Sequence, residues 1–438
     1  MKKLPIGISD FRDLIDDNYY FVDKSLFIKE IIDRGDKVLL IPRPRRFGKT
    51  LNMSMIKYFY GCNIAPAIGK TDPDNEHLFT HLNIWKAGKE YTEKQGKYPV
   101  IFLSFKDIKD QDFETSLEKI RALISTEFKL NKIVRDSLDI DEKEYYDKII
   151  KKSSSLAELS YSLNFLMKAL SRHYNRRIIL LIDEYDSPIH ASFVNGFYDD
   201  MINFMRNFLS AGLKDTSEYL EKSIITGIMR VARESIFSGL NNLGVYTILR
   251  DEFSEFFGFT ENEVKRILKE KNALERLDSL KKWYDGYNYG NRTIFNPWSI
   301  INYAASSDFV ERPYWVNTSQ NEIVDQLLRN GGHELKKEME ILLSGESIER
   351  VIQDDIVFSE VFSNDKMLWS FILMGGYLKH EFVRKNRADR VYKLTIPNIE
   401  VERTFTKILD NYFQEATDYN KIEEMLKYLK KGEIEVFE

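Results

Sequence analysis

One cysteine, Cys62, stands among 438 residues, which excludes an internal disulfide framework and any multi-cysteine metal site. The six histidines fall at no metal-ligand spacing, and this argues against a zinc centre. Apolar runs are short: "IILLI" at 178–182 is far below the roughly 18 residues that a membrane span requires. The start, "MKKLPIGISD", has no apolar stretch of the secretory kind, so a soluble, cytoplasmic chain with no membrane partner is expected. Neither sign of charge dominates, with 64 Lys and Arg against 69 Asp and Glu and a net charge of -5. No global field therefore draws the chain to nucleic acid or anionic lipid, and any nucleic-acid contact has to be local. Repeats, low-complexity tracts and Pro/Gly/Ser linkers are also missing, so domain boundaries rest on changes of character along the chain.

What is present is enough for real cores: 43% hydrophobic residues, 13% aromatic, and length for two or three domains of roughly 150 residues. "VLLI" (38–41), "PVIFLSF" (99–105), "RIILLI" (177–182) and "SIITGI" (223–228) read as strands apolar on both faces. Helical patterns lie between them, which predicts βαβ units and a parallel sheet through about residue 250. After "FGFTENEVKRILKEKN" (257–272) helices dominate. The stretch 367–409 reads helix, Gly-Gly break, two strands around a charged turn, helix. The expected fold is α/β: a nucleotide domain over 1–256, a helical lid over 257–345 and a winged-helix-like unit over 346–438.

The stretch "LLIPRPRRFGKTLNMSMI" (39–56) places a buried strand, a loop and then Gly48-Lys49-Thr50 at the start of a helix, the context of a phosphate-binding loop. Amides at a helix start and its dipole receive polyphosphate with little reorganisation. Gly48 allows close approach, Lys49 reaches the β and γ phosphates, and the Thr50 hydroxyl is a Mg²⁺ ligand. The loop expected to hold the nucleotide is Arg43, Pro44, Arg45, Arg46, Phe47, Gly48, Lys49, Thr50 and Leu51. Arg43 occupies the place of the motif's first glycine, where a positive φ would cost about 1–2 kcal/mol. The bland alternative is a solvated basic loop.

"RRIILLIDEYDSPI" is an apolar strand that ends in Asp183 and Glu184. On a strand adjacent to the loop's own, Asp183 would hold Mg²⁺ and Glu184 would act as base toward water. The alternative makes Asp183 a turn cap, with Asp186 exposed. "SIITGIMRVARESIFSGLNNL" puts Thr226 where it could sense a γ-phosphate, followed by Arg230 and Arg233 as candidates to stabilise transition-state charge or to form surface pairs. Tyr19, Tyr20 and Phe21 are candidates for an adenine pocket or for the core, and "WYDGYNYG" (283–290) for base stacking or a packed corner.

The motifs "LPIGISDF", "RPRRFGKTLNMSM", "LLIDEYDSPI", "TGIMRVARESIFSGLNNL", "WYDGYNYG", "YWVNTS" and "LTIPNIEV" run from residue 4 to about 401. On these the sequence resembles the AAA-ATPase-like family of bacterial P-loop proteins, in which a nuclease-like PD-(D/E)XK domain usually follows. The resemblance implies that the arginine-bearing loop is the family's own phosphate loop, with ATP and Mg²⁺ as cofactors and hydrolysis carried onto Lys49, Thr50, Asp183 and Glu184. Too few residues follow "LTIPNIEV" for the nuclease-like module, so no nuclease activity is expected from these residues. ATP is the expected partner; a nuclease-like domain or protein, DNA and further copies of the chain are candidates. A non-hydrolysing, nucleotide-dependent switch or scaffold and a DNA-binding regulator acting through 367–409 stand as alternatives.

Overall fold

The computed structural model describes residues 2–63, 75–214, 216–231, 236–237, 243–315 and 333–416. Its centre is a five-stranded sheet of β1 (Val38–Pro42), β2 (Val100–Ser104), β3 (Ile178–Asp183), β4 (Leu220–Gly227) and β6 (Leu243–Val245), in the order β2-β3-β4-β1-β6. Every pairing in it is parallel. β1 and β3 are buried along their whole length, which is why their sequences run apolar without alternation. Helices α1 (Phe11–Asp16), α2 (Leu26–Asp33) and α3 (Lys49–Tyr60) and later helices, among them 113–130, 156–174 and 198–213, cover the sheet. Their ends follow local chemistry: Ser155 and Glu158 form a capping box, and Asn175 closes the same helix in the left-handed conformation. This is the mixed α/β architecture of a P-loop NTPase-like core.

One expectation fails here. β3 is not adjacent to β1, because β4 lies between them. Parallel strands nonetheless end on one edge of the sheet, and the loop after β1 reaches across the end of β4, so the two elements still meet.

Beyond β4 the chain adds β5 (Arg230–Val231), the hairpin β7 (Tyr287–Tyr289) and β8 (Arg292–Ile294), and short helices at 261–270, 277–284 and 297–305. These helices share a small core of their own around Val264, Leu268, Tyr284 and Tyr303. Strand β9 (Ile348–Val351) pairs antiparallel with β12 (Asp389–Thr395), which forms a hairpin with β11 (Lys379–Asn386). A helix at 365–374 precedes that hairpin and one at 399–416 follows it. β10 (Asp355–Ile356) pairs in parallel with β5. The main core runs without a break from Phe11 to Phe405 and takes in Trp369 and Leu394 beside the strands of the sheet.

Candidate functional site

The loop after β1 folds as its residue types dictate, though not at the position the motif suggested. Arg43 does not take a positive φ; the left-handed residues are Arg46 (φ 68) and Gly48 (φ 81). Arg43 instead turns its side chain into the interior. Its Nη1 donates to the carbonyls of Pro42 (2.8 Å) and Tyr246 (2.6 Å), and its guanidinium lies over the rings of Phe257 and Tyr289. Burial pulls its pKa down to about 10. Arg43 thus braces the loop from behind, while the neighbouring side chains face elsewhere.

At the start of α3 the backbone N–H groups of Phe47, Gly48, Lys49 and Thr50 find no acceptor among the described residues. A helix start of this kind is a ready receptor for an anion. Lys49 Nζ is buried and holds the carbonyls of Arg43 (3.0 Å) and Pro44 (3.1 Å). Burial lowers its pKa, against the attraction of Glu184, Asp183 and Asp186.

Asp183 ends β3 fully buried, and its two oxygens accept from Thr50 Oγ1 (2.8 Å) and Thr226 Oγ1 (2.6 Å). Burial raises its pKa, and these hydrogen bonds oppose the rise. Thr226 is itself fully buried, so its hydroxyl fixes Asp183 and does not face open space. Glu184 follows with φ 51, a strained conformation for a non-glycine residue, and it faces the cavity. Burial pushes its carboxyl up, but Lys49, Lys109 and Arg45 outweigh that and hold it below the ordinary range.

Asp186, expected to be exposed in the bland reading, is 3% exposed. Its Oδ2 accepts the amides of Ile228 (2.7 Å) and Met229 (3.1 Å), and burial pushes its pKa up to about 6. Tyr185 works beside it: its hydroxyl donates to the Met229 carbonyl and accepts from the Val231 amide, each at 3.0 Å. The segment after β4 is therefore held by the two residues that follow Glu184. Arg230, in that segment, forms an ion pair with Asp355 at 2.5 Å and does not line the cavity. Arg233 lies outside the described residues.

These elements open onto a cavity of about 510 Å³, a size ordinary for a small-molecule site. Its polar lining includes Arg45, Arg46, Lys49, Thr50, Asn52, Glu184, Lys106 and Lys109. Its apolar lining includes Ile8, Tyr20, Phe21, Phe259, Trp298 and Ile301. Tyr20 and Phe21 are there; Tyr19 is not. Arg43 and Pro44 contribute only from behind. Lys106 and Lys109 were not singled out from sequence, although "SFKDIKD" follows directly on β2, at the strand edge where open parallel sheets bind ligands. Neither lysine has an ion-pair or hydrogen-bond partner among the described residues.

Later elements also hold the loop. Trp315 Nε1 donates to the Arg45 carbonyl (3.3 Å), Arg46 lies over Trp298 (4.2 Å), and Phe47 packs on Tyr287 and Tyr289 of the aromatic hairpin. "WYDGYNYG" is thus a packed corner against the loop.

A family model described as "Predicted AAA-ATPase" matches residues 5–237, a span that includes the loop, β3 and β4. A protein of Azotobacter chroococcum mcd 1, described as "Uncharacterized protein in vnfD 5'region", is 26% identical over 411 residues, 93% of this chain and 70% of that protein.

Proposed function

Because the chain belongs to the AAA-ATPase-like family, we propose that it binds Mg-ATP in the cavity above Gly48–Thr50 and hydrolyses it. The observation that carries this reading is the 2.8 Å contact between Thr50 and Asp183 beside a row of amides without acceptors. The amides without acceptors and Lys49 suit the phosphates, and the apolar lining by Tyr20, Phe259 and Trp298 suits a base. Thr50 and Asp183 offer the hard oxygen ligands that Mg²⁺ prefers, and the ion when bound would neutralise phosphate charge.

Glu184 is ionised at neutral pH and orients the attacking water. Lys49 moves from the Arg43 and Pro44 carbonyls to the phosphates. Arg45 and Lys109, which both act on Glu184 through their charge, stand where a third cation would offset charge developing on the γ-phosphoryl group. Arg230 does not line the cavity, whereas Arg45 and Lys109 do, which favours these two for this role.

Calorimetry with Mg-ATP and measured phosphate release test the reading together. Lys49→Ala should abolish binding. Glu184→Gln should keep binding and lose about 10²–10⁴-fold in release. No binding heat in the parent protein ends the proposal. A nucleotide-dependent switch is the second reading, favoured by the contacts of Trp315, Trp298 and Tyr287 on the loop, which give bound nucleotide a route to the later elements. Tight Mg-ATP with no release at any protein concentration selects the switch. A nuclease-like domain or protein remains the candidate partner in either case.

A further inference from the structure

The hairpin of β11 and β12 is basic, and β11 is exposed from Glu381 to Asn386. Residues 379–395 hold six Lys and Arg against two Asp and Glu, in a protein whose net charge is -5. Both carboxylates are engaged, Glu381 with Lys379 and Asp389 with Lys366. Arg384 is paired with Glu349. At the tip, Lys385 lies directly across from Arg390, and Arg387 forms the turn with φ 53. Like charges opposite one another on a hairpin oppose its formation, so this arrangement is stabilising only with an anion nearby. Arg390 acts on the Tyr392 hydroxyl, and Lys385 and Arg387 have no carboxylate partner among the described residues. Register puts Phe382, opposite Tyr392, on the same side of the hairpin as the Lys385–Arg390 pair, and Phe382 is 59% exposed.

We propose that the tip of this hairpin, through Lys385, Arg387 and Arg390, binds the phosphate backbone of duplex DNA. The inference is independent of the ATP site. A two-stranded ribbon has strands about 4.8 Å apart, and with its side chains it matches a B-form major groove about 12 Å wide. The deep, narrow major groove of double-stranded RNA does not admit it. A lipid surface would favour a broad flat face of cations, whereas these three are gathered on one narrow turn.

Anisotropy of a labelled random-sequence 20-base-pair DNA, titrated with the full chain from 50 to 200 mM salt, tests this. Three phosphate contacts predict a slope of log affinity on log salt near -2.7, or a loss of about 40-fold over that range. The double variant Lys385→Gln/Arg387→Gln removes two contacts from exposed positions and should shrink the slope by about two. The same slope in parent and double variant overturns the proposal. So does the absence of DNA binding at 50 mM salt, tighter binding of duplex RNA, or capture by anionic vesicles of phosphatidylserine without binding of DNA. A Lys49→Ala variant should bind DNA as the parent does, which keeps this outcome separate from that of the nucleotide reading.

Discussion

Gly48 shows how a single residue can be required by conformation and not by crowding. A Cβ built there meets nothing within 4 Å, yet φ is 81. Gly48→Ala should therefore fold, at a cost of about 1–2 kcal/mol in urea denaturation, and should weaken Mg-ATP binding because the methyl projects into the open space before the amides. At this scale the sequence was partly legible. Gly48, Lys49 and Thr50 could be placed because the strand, loop and helix context is local. Arg43 could not, because its partners Tyr246, Phe257 and Tyr289 are over 200 residues away. Thr226 was located at the right strand end, but its direction depends on Asp183, a tertiary neighbour. The alternative that left Asp186 exposed fails for the same reason: a polar residue after a strand looks exposed until the amides whose hydrogen bonds it accepts are known.

At the scale of elements, the "DEYD" segment joins β3 to two different structures. Its first residue meets α3 through Thr50, and its third and fourth hold the turn between β4 and β5, which in turn pairs with β10. Tyr185→Phe removes two hydrogen bonds and leaves the buried Val231 amide unpaired. It should destabilise the protein by about 1–3 kcal/mol and raise hydrogen exchange at Val231 and Ile356 before the central strands. Strands β1 to β4 of the sheet were legible from their unbroken apolar runs, which are intrinsic to being covered on both faces; β6, three half-buried residues at the sheet's edge, was not. Their order was not, since nothing local to β1 says that β4 will intervene before β3. The short β5, β7, β8 and β10 were missed because two- and three-residue strands carry no periodicity to read.

For the whole molecule, the main core reaches from Phe11 to Phe405, and the helices at 261–270, 277–284 and 297–305 keep a smaller one of their own. Glu400 marks where later elements join it: it is fully buried, and accepts from Ser299 Oγ at 2.8 and 3.0 Å and from the Trp315 amide at 2.8 Å. Burial pushes its pKa from 4.5 up to about 7. The folded chain thus holds a proton that the unfolded chain releases in that window. Stability from this group is present below about pH 4.5 and is lost as pH rises through 7. Glu400→Gln fixes the neutral state, so parent stability relative to the variant should improve by about 2–3 kcal/mol between pH 8 and pH 5. Urea midpoints at the two pH values measure it; a constant difference would refute the assignment. Among the described residues no helix is long and apolar enough to cross a membrane.

The apolar wall made by Pro297, Trp298 and Ile301 lies more than a hundred residues after Glu184. A ribosome adding roughly 5–20 residues per second delivers that wall on the order of ten seconds after the acidic strand has emerged. During that interval β4, which separates β1 from β3, and then Tyr246 and Phe257, which brace Arg43, are still being made. Loop, acidic strand and wall come together only after Ile301 has emerged, so a nascent chain shorter than that holds the pieces of the cavity without the cavity.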